Sequence, residues 1–426
     1  MSSCETKAPG PGADTIRLVP EASGARSSAV SDPCAGAARH WHLDPTVTFL
    51  NHGSFGACPI PVMKAQSALR LQLEREPVRF FLETAPALAR RSREQLGAFI
   101  GADPDDLAFL PNATTAVNLV LRSLRFAPGE QILATNHGYR ACLNATRYAA
   151  EREGAELTLV QVPFPLSGPE QVVEAVLAAV TPRTRLAVLD HVTSPTGILF
   201  PIETLVSELQ ARGVDVLVDG AHALGMLPLD LTRLGAAYYT ANAHKWLCAP
   251  KGAAFLHVRR DRQDRIRPLV VSHGASSPRT DVSRFRLEFD WTGTDDPTPH
   301  LCLPDCLSFL ATLTPDGIPG LMRRNRALAQ EARGILAGVL SAPLPCPDSM
   351  LGSLATLPLP DAPSTPGAGY LEIDPLQQAL WDRHRIEVPI VLWPKASTRW
   401  VRVSAQAYNA REQYEKLGAA LRELLA

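Results

Sequence analysis

The sequence predicts an α/β fold in which a mainly parallel sheet is flanked by helices and is followed by a smaller α+β domain. Short apolar strands alternate with helices from residue 107 to residue 258, as in strand–helix–strand units. The last part of the chain mixes short strands with helices, which favours a second domain. A length of 426 residues with 46% hydrophobic residues provides enough material for two cores. We expect a large domain over residues 41–295, with the N-terminal segment contributing to the small domain over residues 296–426.

The composition excludes several classes of partner. The 42 basic and 43 acidic residues nearly cancel, so no long-range attraction to nucleic acid or to an acidic membrane is expected. No apolar run approaches the roughly 20 residues that cross a bilayer, and the N-terminus has no signal-peptide core. Residues 1–40 are rich in Ala, Gly, Ser and Pro, which predicts a disordered tail. Small molecules are the expected partners.

The eight cysteines are scattered along the chain. Cys302 and Cys306 are the close pair, and no second pair accompanies them to complete a metal site. The pattern therefore predicts reduced thiols and no metal centre. A cytoplasmic location is the matching expectation.

Ordered structure is expected to begin near Trp41. A short strand over residues 46–50 ends in a turn over residues 51–56, whose glycines allow the backbone to approach a ligand closely. A helix over residues 59–74 begins at a proline, and a second over residues 87–100 is ended by Gly101. These elements precede the first strand of the predicted sheet.

A threonine-rich turn follows the predicted strand over residues 107–110. It contains Asn112, Thr114 and Thr115 and opens a helix that runs to about residue 124. Such a turn presents free backbone N–H groups, hydroxyls and the positive end of the helix dipole to an anion. The same residues are also typical of an ordinary helix N-cap that binds no anion.

Polar residues stand at the ends of several further predicted strands. The strand over residues 131–135 precedes His137 and Tyr139, and the strand over residues 185–192 precedes Ser194. Because ligands of parallel sheets bind at the carboxyl ends of the strands, Thr114, Tyr139, Ser194 and Asp219 are expected to share one site.

Residues 214–258 carry the most informative pattern. An apolar strand ends at Asp219, and Lys245 follows 26 residues later, before a second apolar run over residues 253–258. A strand-end acid and a later lysine are what pyridoxal phosphate (PLP) requires, since the lysine forms the Schiff base and the acid keeps the pyridine nitrogen protonated. The same two residues also occur without PLP, since many α/β folds carry an acid at a strand end beside a ligand crevice, and a lysine near a glycine is often a solvated loop residue.

The residues around this pair carry a family resemblance. His222 follows the acid, His244 precedes the lysine, and a Pro-Lys-Gly turn follows over residues 250–252. From about Leu50 to the C-terminus the chain resembles the class V aminotransferase family of PLP enzymes, which contains the cysteine desulfurases, and most closely its isopenicillin N epimerase-like branch. The resemblance implies fold type I of the PLP-dependent transferases and pyridoxal 5'-phosphate as cofactor.

The resemblance also implies how the cofactor phosphate is held. Thr114 matches the threonine of the family's phosphate loop, with Thr115 beside it, although Asn112 stands where the family usually has glycine. Asn242 and His244 match residues on the phosphate side that precede the lysine.

Contacts to the cofactor ring follow from the same resemblance. Ser194 and His222 match positions near the phenolic oxygen of the cofactor, and His222 could contact the substrate instead. The family places an aromatic or imidazole ring on the pyridine face. His137 and Tyr139 compete for that role, and Tyr139 fits the epimerase-like and C–S lyase branch better.

Substrate and partner contacts are implied further along the chain. Arg402 resembles the arginine that clamps the substrate α-carboxylate, which a planar guanidinium can bind through two hydrogen bonds. Asn51 and His52 match a segment that borders the substrate. Thr294 resembles the residue that reaches the neighbouring subunit's phosphate, which implies a homodimer with shared active sites.

These assignments predict chemistry at the α-carbon of an amino acid. Lys245 is the expected base for the α-proton, with Tyr139 or a histidine such as His222 as the second acid of an epimerase or racemase. Loss of a β-sulfur group would instead make a C–S lyase, as in the hercynylcysteine sulfoxide lyases. An aminotransferase or a cysteine desulfurase is a weaker alternative, because a desulfurase needs a loop thiol and only Cys346 lies in a plausible loop. A PLP-fold protein that binds a metabolite without turnover is the non-enzymatic alternative.

Overall fold

The computed structural model of the chain describes residues 32–361 and 373–426. Pro33–Ala426 forms one compact unit, so the division at residue 295 stays a prediction. The predicted tail lies largely outside the described residues. The prediction of a disordered tail is wrong for the described residues 33–40, because Cys34 and Ala37 are buried in the main core.

The N-terminal segment begins with a two-residue strand and continues in helices. Strand β1 is followed by the single turn α1, which corresponds to the predicted glycine-rich turn. The bounds are β1 (Thr48–Phe49), α1 (His52–Phe55), α2 (Ile60–Arg75), α3 (Pro77–Arg79) and α4 (Ala85–Ile100).

A seven-stranded, mainly parallel sheet forms the centre of the molecule. Its strands are β2 (Leu107–Leu110), β3 (Gln131–Thr135), β4 (Glu156–Val160), β5 (Thr184–Asp190), β6 (Asp215–Asp219), β7 (Tyr238–Asn242) and β8 (Ala254–Val258). The order is β2-β8-β7-β6-β5-β3-β4, and β8 runs antiparallel to both of its neighbours. β5 and β6 are parallel and pair Asp190 with Asp219. Two acids therefore stand side by side at the carboxyl edge of the sheet.

Helices cover both faces of this sheet. The connecting helices are α5 (Ala113–Ser123), α6 (Arg140–Glu153), α7 (Glu170–Ala178), α8 (Ile202–Ala211) and α9 (Leu231–Leu234). Val216 and Val218 of β6 belong to one hydrophobic core, and Leu217 between them belongs to the other. This alternation follows from the two-residue period of a strand, so a strand of continuous apolar residues supplies two cores.

A second sheet lies in the C-terminal part of the chain. It has the antiparallel order β11-β12-β9. Its strands and the neighbouring β10 are β9 (Leu354–Pro358), β10 (Ile386–Glu387), β11 (Ile390–Leu392) and β12 (Arg399–Ser404). The helices are α10 (Arg284–Phe289), α11 (Thr298–Leu301), α12 (Leu303–Ala311), α13 (Gly317–Leu340), α14 (Pro375–His384) and α15 (Arg411–Leu425).

The N-terminal segment joins this C-terminal part. Thr48 of β1 pairs with Ile386 of β10, and Leu50 packs in the same hydrophobic core as α13, α15 and β12. The pairing places the turn α1 against the C-terminal sheet and over the edge of the large one. In the described part of the chain, no helix is both long and apolar enough to span a membrane.

Candidate functional site

A cavity of about 570 Å³ opens at the carboxyl edge of the large sheet. Its lining includes the loops after β3, β5, β6 and β7, the start of α5 and the turn α1. Eight of the predicted site residues line it: Thr114, Tyr139, Ser194, Asp219, His222, Asn242, His244 and Lys245. The parallel strands therefore bring together residues that lie up to 131 positions apart.

Asp219, the last residue of β6, is a buried acid that lines the cavity. Its carboxylate accepts hydrogen bonds from the Cys142 thiol (3.1 Å) and the Ala221 amide (3.0 Å). Burial raises the pKa of Asp219. The two donors oppose that rise because they stabilise the ionised form.

Asp190 lines the cavity beside Asp219 and was not anticipated from the sequence. Burial and repulsion by Asp219 raise its pKa well above the usual range, while the Tyr139 amide N–H donates to its carboxylate. Two adjacent buried carboxylates cannot both ionise at low cost, so the pair shares a proton. Because the Cys142 thiol donates to Asp219, we assign the negative charge to Asp219 and the proton to Asp190.

Lys245 projects into the same cavity from the loop after β7. Its amine lies 3.2 Å from Nε2 of His222. Burial, assisted by the positive charge of Arg402, lowers the pKa of Lys245 to about 8. Roughly one tenth of this lysine is therefore a neutral amine at pH 7, far more than an ordinary lysine provides, and the neutral amine is the form that a nucleophile or a base requires.

The start of α5 forms an anion-binding end of the cavity. Asn112 caps the helix by accepting from the Thr115 amide (2.8 Å), and the Ala113 amide donates to the side chain of Asn242 (2.8 Å). These bonds fix the helix terminus with Thr114 at the cavity, where the helix dipole favours negative charge. His244 lines the same end and donates from Nδ1 to the Ala253 carbonyl (2.9 Å), so its Nε2 could donate to a phosphate only after taking up a second proton.

Arg402 approaches the cavity from β12. Its guanidinium donates to the carbonyl of Ser194 and to the hydroxyl of Ser54 (3.2 Å), and both serines line the cavity. The Ser54 hydroxyl in turn donates to Asn51 (2.5 Å), whose amide donates to Glu387 (3.0 Å). Asn51 thus acts through Ser54 and does not itself line the cavity, which corrects its predicted contact with the substrate.

His52 and His137 are also displaced from their predicted roles. His52 has no exposed surface, and its ring joins the Tyr408 hydroxyl (2.7 Å) to the Lys245 carbonyl (3.0 Å). His137 is equally buried, with Nδ1 bound to Thr196 (2.8 Å). Neither ring lines the cavity, because both are held in the interior by partners far away in sequence.

Two of the predicted cofactor-binding residues, Thr115 and Thr294, do not line the cavity of their own chain. Thr115 uses its hydroxyl and its amide on Asn112, so it belongs to the helix cap. Thr294 is exposed and does not line the cavity of its own chain. The placement of Thr294 leaves its predicted role toward a second subunit as a prediction.

Further lining residues were missed by sequence reasoning. Ser54, Phe55, Asp190 and Lys251 line the cavity, and Cys142 supports Asp219 from behind. The sequence pattern could have predicted Asp190 as a site residue, because it is an acid at the end of an apolar strand, as Asp219 is. The predicted strand ends two residues too late, at residue 192, so Asp190 does not stand at its end.

The residues present suit PLP. A buried acid, a helix N-terminus and a lysine of lowered pKa line the same cavity. These three groups match the ring nitrogen, the phosphate and the aldehyde in chemical type. Among the described residues no cluster of metal-binding side chains was found.

The sequence is similar to a known family and to curated relatives. Residues 76–286 match the family described as aminotransferase class V. The chain is 38% identical over 394 residues to the isopenicillin N epimerase of Streptomyces clavuligerus, covering 89% of this chain and 95% of that relative. Identity to the isopenicillin N epimerase of Amycolatopsis lactamdurans is 37% over 409 residues, covering 93% and 99%.

Other relatives carry a different activity in their names. The probable chloroplastic L-cysteine desulfhydrase of Arabidopsis thaliana is 31% identical over 408 residues, covering 90% of this chain and 84% of that relative. A mutant of C-DES with glycine covalently linked to its PLP cofactor superposes with a TM-score of 0.74 at 21% identity, covering 91% and 99%. The apo cysteine desulfurase of Thermococcus onnurineus superposes with a TM-score of 0.73 at 19% sequence identity, covering 91% of this chain and 97% of that structure. These two structures confirm the predicted fold.

Proposed function

The chain belongs to the class V aminotransferase family of PLP-dependent enzymes, and from that premise we propose that it epimerises or racemises an amino acid or an amino-acid derivative at the α-carbon. The observation that carries the proposal is the meeting of Lys245 and Tyr139 on one cavity. Inversion of an α-carbon requires one group to remove the proton and another to return it. Similarity to two isopenicillin N epimerases supports the same reaction.

The residues that would hold PLP follow from the geometry of the cavity. Thr114 and the start of α5 would bind the phosphate, with Asn242 fixing that helix start and His244 beside it. Asp219 would pair with the ring nitrogen, and Lys245 would bond to the aldehyde carbon. When bound, PLP would withdraw electrons from the α-carbon of an amine-linked substrate and so acidify its α-hydrogen.

Proton transfer is assigned to the protein's own groups. The lowered pKa of Lys245, about 8, allows its amine to accept the α-proton near neutral pH. Tyr139 has a phenol that can return a proton to the α-carbon. The guanidinium of Arg402 now donates hydrogen bonds to Ser194 and Ser54. If the substrate carboxylate replaces these serines as the acceptor, Arg402 fixes the orientation of the substrate in the cavity.

A C–S β-lyase is the second candidate. Relatives named L-cysteine desulfhydrase favour it, and the same α-proton abstraction by Lys245 would precede loss of sulfur. Persulfide chemistry of the desulfurase type has less support, since no cysteine is among the described lining residues and Cys346 is buried beside Arg333. The side chain of the substrate decides between the two candidates.

One experiment separates these outcomes. The enzyme is incubated with candidate amino acids in deuterated water, and configuration, deuterium content and 2-oxo acid release are measured. Epimerisation predicts α-deuteration with inverted configuration and no pyruvate from cysteine or its conjugates. Pyruvate release with ammonia would establish the lyase, and an absence of both reactions in the PLP-loaded protein would favour the binding protein.

We further propose a homodimer in which Thr294 serves the partner's site. Thr294 is exposed on its own chain, and the apolar residues Leu269, Val270 and Val271 are also exposed, which suits a covered surface. Mixing K245A subunits with T294A subunits gives a direct test after exchange. One site in each mixed dimer then has both residues intact, so about a quarter of wild-type activity should return at equal mixing. No recovery, or full activity of T294A alone, would remove Thr294 from the site.

A cytoplasmic location is proposed on the same footing. None of the described cysteines is bonded to another, and several are buried in the core, as expected of a protein kept in a reducing compartment. Fractionation of the source cells should recover the protein with cytoplasmic markers. Recovery with a membrane or secreted fraction would contradict the proposal.

A further inference from the structure

Two consecutive side chains, Lys245 and Trp246, hold opposite edges of the His222 ring. The Lys245 amine lies 3.2 Å from Nε2, and the indole N–H of Trp246 donates to Nδ1 over 3.3 Å. His222 and Trp246 are both almost fully buried, at 2% and 1% exposure. Water therefore has little access with which to replace the indole contact.

The chemistry of the indole decides where the imidazole proton lies. An indole nitrogen can donate a hydrogen bond but cannot accept one, so Nδ1 of His222 must present its lone pair. A neutral imidazole has a single N–H, which must then be on Nε2, the nitrogen that faces Lys245. Burial is the largest cause that lowers the pKa of His222 far below its usual value, and it keeps the ring neutral.

The position of that proton constrains Lys245. A protonated amine has three donors and no acceptor, so it would meet the Nε2–H group donor to donor. A neutral amine can accept from Nε2–H. The other charged or titratable groups that act electrostatically on His222 are Arg402 and His52, and the guanidinium of Arg402 has no acceptor to offer to Nδ1.

We propose that Trp246 is a positioning residue that fixes His222 as the Nε2–H tautomer and thereby favours the neutral, reactive form of the Lys245 amine over its protonated form. Without the indole N–H, the proton can move to Nδ1, and Nε2 becomes an acceptor for a protonated lysine. The pKa of Lys245 then rises. The inference depends on the proposed function only in taking Lys245 as the residue that bonds to PLP.

The tautomer can be measured in the protein before PLP is added. With ¹⁵N-labelled histidine, long-range ¹H–¹⁵N correlation spectra distinguish Nε2–H from Nδ1–H, and an H222Q variant assigns the signal. The wild type should show His222 as Nε2–H across neutral pH. Trp246→Phe should shift the population toward Nδ1–H, whereas an Nδ1–H wild type or an unchanged W246F spectrum would overturn the proposal.

A replacement closer in shape guards against misfolding of the phenylalanine variant. Substituting 3-benzothienylalanine at position 246 keeps the bicyclic shape and removes only the N–H, so it should reproduce the shift in tautomer. Trp41→Phe is the matched control, since Trp41 is also buried and donates its indole N–H to Ala57 (3.1 Å), outside the cavity lining. The control should leave the His222 signal unchanged.

The consequence for Lys245 has its own readout. The rate at which added PLP attaches to the protein reports the neutral fraction of Lys245, and in W246F that rate should fall about tenfold at neutral pH for each unit by which the pKa rises. The W41F rate should match wild type. A shifted tautomer with an unchanged attachment rate would refute the link to Lys245. If PLP attaches elsewhere, the tautomer result stands and the proposed function fails.

Discussion

The cavity has two walls of different origin. The sheet wall, defined as Asp190, Asp219 and Lys245, comes from the strand ends of the large sheet and from the loop after β7. The crossing wall is defined as Ser54 and Phe55 of the turn α1, which line the cavity, together with Arg402 of β12, which donates a hydrogen bond to Ser54. Both acids of the sheet wall are buried, whereas Phe55 is 75% exposed.

This difference separates proton chemistry from substrate selection. Burial shifts the pKa values of all three residues of the sheet wall, so this wall determines which groups carry protons. The crossing wall offers a cation, a hydroxyl and an exposed aromatic ring, which can bind a substrate. Of these, Arg402 also helps to lower the pKa of Lys245, although burial is the larger cause. We expect substitutions in the sheet wall to lower kcat and substitutions in the crossing wall to change KM.

The largest effect is expected for Lys245→Ala. Loss of the amine removes both the attachment point of PLP and the base, so turnover should fall by about 10⁴-fold or more. The visible absorbance of lysine-bound PLP should vanish, and borohydride reduction should no longer label the peptide that contains residue 245. Lys64→Ala, on the exposed side of α2, is the control. A normal spectrum in K245A would disprove the assignment.

The two acids of the sheet wall should differ sharply. Asp219→Asn replaces the ionised partner of the ring nitrogen with a neutral amide, and kcat should fall by about 10²- to 10³-fold, in line with the loss of a buried charge pair. Asp190→Asn resembles the protonated acid already present and keeps an acceptor for the Tyr139 amide, so its effect should stay within about tenfold. Equal losses of kcat in the two variants would show that the charge is not on Asp219.

Arg402→Ala tests the crossing wall at its charged residue. Losing a charge-assisted hydrogen bond to the substrate carboxylate costs about 1.5–3 kcal/mol, so KM should rise more than about tenfold. Arg399→Ala, on the same strand and bound to the Pro360 carbonyl, should leave KM unchanged. A fall in kcat with constant KM would place Arg402 with the proton-transfer groups.

The sequence predicted the sheet wall better than the crossing wall, for a physical reason. Asp219 follows an apolar strand, and the carboxyl ends of parallel strands meet at one edge, so its place follows from local pattern. Ser54 and Phe55 of the crossing wall were not predicted. His52 and His137, which line neither wall, could not be placed, because the direction of a ring depends on partners such as Tyr408 and Thr196 that only the folded chain brings near. Asp190 became visible as a partner of Asp219 only through the register of β5 with β6.

The pH dependence of the rate at which PLP attaches to the protein measures the pKa of Lys245. Attachment requires the neutral amine, and a pKa of about 8 makes the neutral fraction roughly one tenth at pH 7 and one half at pH 8. The rate should therefore rise about fivefold from pH 7 to pH 8 and level off above pH 9. Stopped-flow absorbance measures it. If the attachment rate still rose tenfold per pH unit above pH 9, the pKa of Lys245 would be that of an exposed lysine, and the lowered pKa would be wrong.

Phe55→Ala should give the smallest effect and the most specific one. The ring is mostly exposed at the cavity, so its removal should leave the unfolding temperature unchanged and cost at most about 1 kcal/mol of apolar contact with a bound side chain, a change of about twofold to fivefold in KM. Because the loss depends on the substrate side chain, it should be larger for a long apolar substituent than for alanine. If kcat/KM fell equally for both substrates, Phe55 would act on the reacting groups, and the crossing wall would not select by side chain.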